Sequence, residues 1–497
     1  GAAYTMMMIA NVSIPGRAGR FDVQSTAGVI RAIEPHHPAR RERSAVSWAG
    51  GALVDAGGGA LLPGLHDHHI HLCALAAARA SVRCGPDEVA DAEGLATALA
   101  AVPGDGWVRG VAYHESVAGH LDRAALDALS PRRPLRLQHR SGKLWILNSA
   151  AVECLDLDRC RHLPGVELDA GGRPTGRLFR LDAWLGQRLR ACGQGTAPDL
   201  GMVSDWLARR GVTGVTDASP DNGPAAVALF EAAAAGPWRQ RLRIMGGDDL
   251  PVPGHPRLQR GERKIILDED NLPDCDALAD IVRRAHRQGR PVAVHCVTPA
   301  ELVLALAVLR EAGPQPGDRI EHASLVSRDV LPLLRETGVR VVTQPGFVRE
   351  RGAQYLAAVE PGLQGDLYRC ATLCAGGIPV AGSTDAPFGD PDPWAAMRAA
   401  VWRRCAGVTL GEGERLSPEQ ALALFTCAAD EPGGAARRIG IGAAADLCVL
   451  DRPWPEARLR LRRDDVLATI VAGDVVYRRG EAATYREGGE GNAVVVA

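Results

Sequence analysis

The sequence predicts an α/β fold built mainly from parallel β/α units, with a smaller all-β part contributed by both ends of the chain. Four apolar β-like runs, at 263–268, 291–295, 318–322 and 379–385, each end near a residue that can bind a metal ion. A segment long enough for a helix separates each run from the next. This alternation is typical of parallel sheets. In a closed barrel of such units, residues from the carboxyl ends of several strands converge on one site.

A fifth run, residues 61–72, is the segment richest in metal-binding side chains. It holds four histidines and an aspartate: His66, Asp67, His68, His69 and His71. In an extended chain, side chains at positions i and i+2 point the same way, so His69 and His71 can face one ion. Taken alone, the stretch fits a hydrogen-bonded histidine cluster equally well. We expect His66 and His68 to support the ligands from behind or to pack at the barrel mouth.

The order of these residues resembles the metal site of the amidohydrolase superfamily. The flanking sequence resembles the superfamily's amidohydrolase-3 branch, the group that includes N-substituted formamide deformylase. The resemblance runs from about residue 50 to the C-terminus and includes residues 63–71, 148–151 and 440–451. It implies a (β/α)8 TIM barrel. The metal ligands that it implies are His69, His71, Lys264, His295, His322 and Asp385.

Short β-like runs near both termini predict the all-β part of the fold. They lie at 6–14, 21–24, 29–33, 445–451, 467–471 and 475–477. Runs this short do not form a stable sheet alone, so pairing the two ends into one β-sandwich is the economical solution. The resemblance implies the same arrangement. We therefore expect residues 1–56 and 432–497 to form a β-sandwich domain and residues 57–431 to form the barrel, with a cap inserted at about 75–200.

Several other elements follow from local patterns. Amphipathic helices are predicted at 277–288 and 300–311, the second ending at Gly313. We interpret residues 72–200 as barrel strand two with the cap inserted, and the run at 212–217 as strand three, where Asp217 caps the next turn or touches substrate. Strand seven is expected at 339–345. Residues 349–367 are predicted to be a long loop, either a solvated face or a flap.

The resemblance also implies the chemistry. His69, His71 and Asp385 would hold one divalent ion, and His295 and His322 a second. Carbon dioxide would convert the Lys264 amine into a carbamate that bridges both ions; if Lys264 only begins a strand, the site holds one ion. Bound ions lower the pKa of water, and the resulting hydroxide attacks a carbonyl group. Asp385 would carry the proton, so Asp385, His295 and His322 are the candidate catalytic residues.

Cationic side chains in the predicted cap suggest the substrate class. Arg140, Lys143, Arg177 and Arg180 lie there, and arginine suits a carboxylate. Where the family commonly has Gly-His, this chain has Gly142-Lys143. The candidate substrate-binding residues are Arg140, Lys143, Arg180, His114 and Gln344. A small anionic amide, N-formyl compound or cyclic amide would fit, unless the cations pair with Asp169, Asp182 or the solvent.

Composition excludes several classes of partner. A net charge of −2 gives no long-range attraction to nucleic acid or to an anionic membrane. No apolar run approaches the roughly 20 residues of a membrane span. Twelve cysteines without paired spacing favour reduced thiols in a cytoplasmic protein. A glycine-rich phosphate loop is absent, so we expect no nucleotide cofactor, and related enzymes suggest a homodimer.

The leading functional hypothesis is a metal-dependent hydrolase that cleaves a carbon–nitrogen bond of a small molecule. Zinc is the expected ion, as one or two ions, with manganese or iron as alternatives. A mononuclear deaminase or lactonase of the same superfamily is the enzymatic alternative. Deaminases of this superfamily generally use a glutamic acid near the strand-five histidine, and Glu301 does not match that arrangement closely. A binding protein with a decayed site is the non-enzymatic alternative.

Overall fold

The computed structural model describes residues 6–37, 52–129, 133–193 and 198–481. It divides the chain into two compact units. The first contains Gly1–Ile70, Gly201–Thr384 and Asp392–Ala497, and the second contains His71–Leu200 and Asp385–Pro391.

Strands and helices occur throughout the described part of the chain. The strands are β1 Met6–Val12, β2 Phe21–Thr26, β3 Val29–Pro35, β4 Ala52–Asp55, β5 Leu61–Pro63, β6 Leu65–Ile70, β7 Val82–Arg83, β8 Val108–Tyr113, β9 Leu135–His139, β10 Leu144–Leu147, β11 Val166–Leu168, β12 Pro174–Phe179, β13 Val212–Asp217, β14 Arg241–Gly246, β15 Leu258–Ile266, β16 Val292–Cys296, β17 Arg319–His322, β18 Arg340–Thr343, β19 Val380–Gly382, β20 Arg404–Cys405, β21 Val408–Thr409, β22 Leu447–Leu450, β23 Val466–Val471 and β24 Asp474–Arg478. The α-helices are Leu72–Arg79, Ala92–Ala100, Glu115–Ala118, Arg123–Leu129, Ser149–Cys154, Asp182–Ala191, Leu200–Ala208, Pro224–Ala235, Cys275–Arg287, Pro299–Ala312, Leu331–Thr337, Gly346–Glu350, Gly352–Ala358, Cys370–Ala375, Pro393–Trp402, Pro418–Ala423 and Trp454–Ala457.

An eight-stranded parallel sheet is the centre of the first unit. Its order is β19-β18-β17-β16-β15-β14-β13-β6, so each strand lies beside its neighbour in the sequence of barrel strands. A helix follows every strand of this sheet except β14, which is joined to β15 by residues 247–257 without a helix. The chain therefore has the predicted (β/α)8 barrel fold, and the ends of β6, β15, β16 and β17 bring His69, Lys264, His295 and His322 to the same part of the molecule.

The numbering of two barrel strands differs from the prediction. β13 pairs directly with β6, so residues 212–217 form strand two and not strand three. Strand three is β14, which the sequence analysis did not identify. Its arginines, Arg241 and Arg243, interrupt the apolar pattern because they pair with Asp446 and Glu262. The strands between Leu72 and Leu200 belong to a separate sheet.

Both ends of the described chain form four-stranded sheets. Their orders are β3-β2-β1-β4 and β24-β23-β22-β5. One buried core, which includes Ile9, Val23, Leu447 and Ile470, contains residues of both sheets. The strands predicted near the two termini are thus present. The domain limits at 1–56 and 432–497 stay predictions, and residues 1–5, 38–51 and 482–497 within them lie outside the described residues.

The second unit has a six-stranded mixed sheet of its own, in the order β11-β12-β10-β9-β8-β7. β7, β8 and β9 run parallel, whereas β9, β10, β12 and β11 pair antiparallel. Leu95, Leu137 and Ile146 belong to one buried cluster of this unit, and Trp145 and Leu178 belong to another.

The predicted helices of the barrel are present and have clear local causes. Helix Cys275–Arg287 begins where the Asp274 side chain accepts hydrogen bonds from two backbone N–H groups, and its apolar residues face the core. Helix Pro299–Ala312 begins with a capping box between Thr298 and Glu301 and ends at Gly313. Asp217 caps its turn by accepting from the Ser219 N–H group.

Residues 349–367 were predicted to be a long loop, and this expectation was wrong for much of the segment. Helices Gly346–Glu350 and Gly352–Ala358 occupy it, followed by a short 3-10 turn at Gln364–Asp366. Phe347 and Val348, in the first of these helices, are buried in an apolar cluster. The charged residues that follow them gave the segment the sequence pattern of a loop. Among the described residues, no helix combines the length and the apolar character needed to cross a membrane.

Candidate metal centre

Strand β6 carries the histidine-rich segment, and all of its residues are buried. The alternation of a strand puts His66 and His68 on one side and His69 on the other. His66 Nε2 lies 2.9 Å from Thr216 Oγ1, and His68 Nε2 lies 3.2 Å from Cys427 Sγ. Burial lowers the pKa of both His66 and His68 well below its ordinary value. These two imidazoles are therefore neutral groups with partners of their own.

His69 is held by a buried carboxylate that the sequence analysis did not identify. The Nδ1 atom of His69 contacts Glu321 Oε2. Arg319 pairs with the same carboxylate, and its Nη2 atom also donates to the His68 carbonyl oxygen at 2.7 Å. Burial alone would raise the pKa of Glu321, but the charges of Arg319 and Lys264 and the contact with His69 together outweigh it, and the pKa lies well below its usual value. Glu321 thus stays ionised and fixes the His69 ring.

His322 has an equivalent partner. Its Nδ1 atom lies 2.8 Å from Gln344 Oε1, while the Gln344 amide nitrogen donates to Ser383 Oγ at 3.0 Å. Ser383 in turn donates to the Thr343 carbonyl oxygen at 3.1 Å. Because the Gln344 amide nitrogen faces Ser383, its amide oxygen is the atom that accepts a hydrogen bond from His322. Gln344 is fully buried and both ends of its amide are engaged, so it holds the His322 ring; its role in substrate binding stays a prediction.

Three imidazoles and a lysine converge at the carboxyl ends of the strands. The ring centroids of His295 and His322 are 4.3 Å apart, and those of His69 and His322 are 4.8 Å apart. Lys264 pairs with Ala293 on β16, two residues before His295, and only 1% of its surface is exposed. The first unit thus brings together four of the six predicted metal ligands.

The donor atoms in this cluster suit a divalent metal ion. A neutral imidazole carries one proton, and a hydrogen bond from Nδ1–H to an acceptor leaves the Nε2 lone pair for a metal. Glu321 and Gln344 are such acceptors for His69 and His322. A carboxylate or amide oxygen behind the imidazole is the usual support of a metal ligand. The residues present therefore fit the metal that the resemblance implies.

The backbone is strained at two of the candidate ligands. His322 has a φ angle of 71° and Asp385 one of 55°, and Ala323 follows His322 at 44°. Such angles are uncommon for residues other than glycine. Strain of this kind persists only where the surrounding structure enforces it, and it concentrates at functional sites. The φ angles of His322 and Asp385 agree with the roles predicted for these residues.

The other two predicted ligands form a pair in the second unit. His71 Nε2 lies 3.2 Å from Asp385 Oδ1, and the His71 N–H group donates to the Ala386 carbonyl oxygen at 2.9 Å. The Phe388 ring meets the His71 ring edge-on, with centroids 5.4 Å apart. Gly142 packs so closely on Phe388 that a Cβ atom there would lie 2.5 Å from the ring. His71 and Asp385 are thus held against one another beside an aromatic wall.

Asp67 ties the first barrel strand to the last. Its side chain accepts hydrogen bonds from the N–H and hydroxyl groups of Thr384 and from the His69 N–H group. β6 and β19 are the two edges of the parallel sheet, so this contact spans the gap between them. Burial raises the pKa of Asp67 to about 6 despite these hydrogen bonds. These hydrogen bonds fix the position of Thr384, the residue immediately before Asp385.

The predicted substrate-binding cations lie together in the second unit. Arg140 and Lys143 are in the turn between β9 and β10, and the Arg180 N–H group donates to the Lys143 carbonyl oxygen at 2.9 Å. Asp169 pairs with Arg173, and Asp182 accepts from the Trp145 indole. The His114 ring lies beside Glu115. Roles in substrate binding stay predictions for Arg140, Lys143, Arg180 and His114.

Histidines at the carboxyl ends of the strands of such a barrel are a donor set that can hold a divalent metal, as in metal-dependent hydrolases. Residues 52–477 match the model of the amidohydrolase family, in its amidohydrolase-3 group, and the chain belongs to that family. It is an enzyme that acts on carbon–nitrogen bonds with a divalent metal.

Individual relatives agree with this assignment. The chain is 26% identical to N-substituted formamide deformylase of Arthrobacter pascens, over 86% of this chain and 90% of that protein. Its fold is similar to the crystal structures of uncharacterized metal-dependent hydrolases from Pyrococcus horikoshii OT3 and Pyrococcus furiosus. The TM-scores are 0.70 and 0.68 at 21% and 22% identity, and 90% of this chain and 98% and 99% of those chains are covered.

Proposed function

We propose that this enzyme hydrolyses an amide, N-formyl or cyclic amide bond of a small anionic molecule at a centre of two divalent ions. The observation that carries the proposal is the arrangement of the barrel imidazoles, in which Glu321 and Gln344 occupy the Nδ1 atoms of His69 and His322. His71 follows His69 by two residues, and Asp385 follows Thr384 directly.

The ions supply Lewis acidity and lower the pKa of water. The chain's own residues do the rest. His69, His71, His295, His322 and Asp385 supply nitrogen and oxygen donors. The Asp385 carboxylate accepts a proton from the attacking water and passes it to the leaving nitrogen. Phe388 and the packed Gly142 keep His71 aligned with Asp385.

Lys264 supports a bridged centre. Its side chain is 1% exposed and lies on the strand beside β16, which carries His295. Addition of carbon dioxide to the neutral amine forms an N–C bond and releases one proton, which leaves an anionic carbamate. The carbamate oxygens of Lys264 would be anionic donors for the metal.

Replacing Lys264 with alanine is expected to reduce bound zinc from about two ions per chain to one or none. Lys264→Arg is the matched control, because it keeps the charge and the length but cannot be carboxylated. It should lose metal as Lys264→Ala does. Plasma mass spectrometry on protein purified without chelating resin measures both, and a carbamate carbon signal after incubation with labelled bicarbonate should appear only in the unsubstituted chain. An equal zinc content in all three proteins would point to a mononuclear deaminase or lactonase.

Glu301 argues against the deaminase alternative. A deaminase of this superfamily needs a free carboxyl group near the strand-five histidine, which here is His295. The Glu301 carboxylate instead accepts from the N–H groups of Val297, Thr298 and Glu269. It is 1% exposed. Its oxygens are therefore used in capping the helix that follows β16, which supports cleavage of an amide-type bond over deamination.

The cations of the second unit support an anionic substrate. Arg140 and Lys143 flank Gly142, which contacts Phe388, which in turn contacts His71. A relative named N-substituted formamide deformylase supports a formyl–nitrogen bond as the scissile one. An N-formyl amino acid combines both features, because its carboxylate would meet the cations while its formyl group is hydrolysed.

Replacing Arg140 and Lys143 together with glutamine is expected to raise KM for an N-formyl amino acid by about 10- to 100-fold, the loss of one charge-assisted hydrogen bond. KM for the corresponding methyl ester, which has no carboxylate, should stay within about twofold. Arg173→Gln is the control, because Arg173 pairs with Asp169 in the same unit. Steady-state kinetics with both substrates tests this, and an equal effect on the two substrates would remove the anionic assignment.

A further inference from the structure

We propose that the second unit carries a separate transition-metal site, formed by His114, Glu115 and His139, that binds an ion such as zinc. The three residues are on neighbouring elements. β8 and β9 run parallel, with Tyr113 opposite His139. His139 ends β9 and His114 directly follows β8, so both lie at the carboxyl ends of these two strands. Carboxyl ends of parallel strands are where open α/β sheets bind ligands.

Distances within the cluster are close to those around one ion. Glu115 Oε2 lies 3.0 Å from His139 Nε2 and 3.7 Å from His114 Nε2. One donor atom of each residue lies within 4.8 Å of the others. Tetrahedral donors at about 2.1 Å from zinc are roughly 3.4 Å apart, so small side-chain rotations would complete the site. Two imidazoles and a glutamate are a donor set that zinc uses widely.

Both rings are anchored in the same way, which gives the cluster a sequence signature. The motif His-x-Ser occurs at 114–116 and again at 139–141. His114 Nδ1 lies 2.9 Å from Ser116 Oγ, and His139 Nδ1 lies 2.7 Å from Ser141 Oγ. Hydroxyl oxygens at this place can accept from Nδ1–H when a metal is bound at Nε2. Each serine would therefore support one imidazole of the occupied site.

The structure also explains why this site would be weaker than the barrel centre. The backbone N–H groups of Ser116 and Ser141 point at the Nδ1 atoms, at 3.2 and 3.1 Å, and favour the tautomer with the proton on Nε2. Binding an ion moves each proton from Nε2 to Nδ1 and gives up these two backbone contacts. Side chains of the three residues are 15–31% exposed, which admits an ion but leaves the donors partly hydrated.

Occupancy of this site would act on substrate binding. His139 is directly followed by Arg140, and the turn continues to Gly142 and Lys143. An ion on His139 would restrict the start of this turn. Excess zinc is therefore expected to change KM for an anionic substrate with little effect on the barrel centre.

Equilibrium dialysis against zinc, followed by plasma mass spectrometry, tests the site in the full chain. The unsubstituted protein should bind one more zinc ion than the His114→Ala/His139→Ala variant, whatever the barrel holds. His162→Ala, at an exposed histidine of the same unit, should match the unsubstituted protein. Equal uptake by all three proteins would overturn the proposal.

Two further variants keep the test independent of folding and of the barrel chemistry. Glu115→Gln preserves size and should weaken the additional zinc at least tenfold in calorimetric titration. In His322→Ala, where metal in the barrel is reduced, the additional ion should still bind. Loss of the additional ion in His322→Ala, with Glu115→Gln unchanged, would assign it to the barrel and overturn the second site.

Discussion

Asp385→Asn is expected to lower kcat by about 10²- to 10⁴-fold, the usual contribution of a positioned proton carrier. The Asp385 oxygen lies 3.2 Å from His71 Nε2, and its backbone has a φ angle of 55°. Asparagine accepts this conformation nearly as well as aspartate, so the substitution removes the proton acceptor without forcing the chain to move. The asparagine amide oxygen remains as a neutral donor to the metal, so metal content should fall much less than kcat.

The measurement is a pH profile of kcat and kcat/KM together with metal content. If Asp385 carries the proton, the acidic limb of the profile disappears in the variant. Asp390→Asn, at an exposed carboxylate of the same segment, should leave the profile unchanged. A variant of Asp385 that retains its acidic limb and loses only metal would show that Asp385 is a ligand and that another group moves the proton.

The first-strand motif could be predicted from the sequence because its information is local. His69 and His71 are two residues apart in an extended chain, and their spacing alone puts both on one side. The strands near both termini and the two amphipathic barrel helices could also be predicted, because their patterns are local in the sequence. Strand β14 was missed because Arg241 and Arg243 make it look polar, and their partners Asp446 and Glu262 are distant in the sequence.

The supports of the metal ligands could not be found from local patterns. Glu321 precedes His322 and its pairing with His69 joins residues 252 positions apart. A signal was nevertheless present, since Arg319 and Glu321 are charged residues at i and i+2 on a strand expected to be buried. Buried charges need partners, so such a pair in a central strand indicates a network at the site. Gln344 gave no such signal, because a single amide after an apolar strand is common.

Glu321→Gln is expected to weaken metal binding by about 10- to 100-fold, the usual effect of losing the outer partner of a ligating imidazole. The Glu321 carboxylate contacts His69 Nδ1 on one side and Arg319 on the other, and none of its surface is exposed. A neutral amide holds the His69 ring less firmly and leaves the Arg319 charge buried without compensation. Breaking a buried ion pair in this way costs about 3–5 kcal/mol of the free energy of unfolding.

Two measurements separate these effects. Competition with a chromophoric chelator gives the metal dissociation constant, and urea unfolding of metal-free protein gives the stability. The Arg319→Met/Glu321→Gln double variant removes both charges, so it should recover most of the free energy of unfolding. Metal affinity should stay low in the double variant, because His69 still lacks its carboxylate. Recovery of both properties together would mean that Glu321 only neutralises Arg319, and that the orientation of His69 is set by the packing around β6.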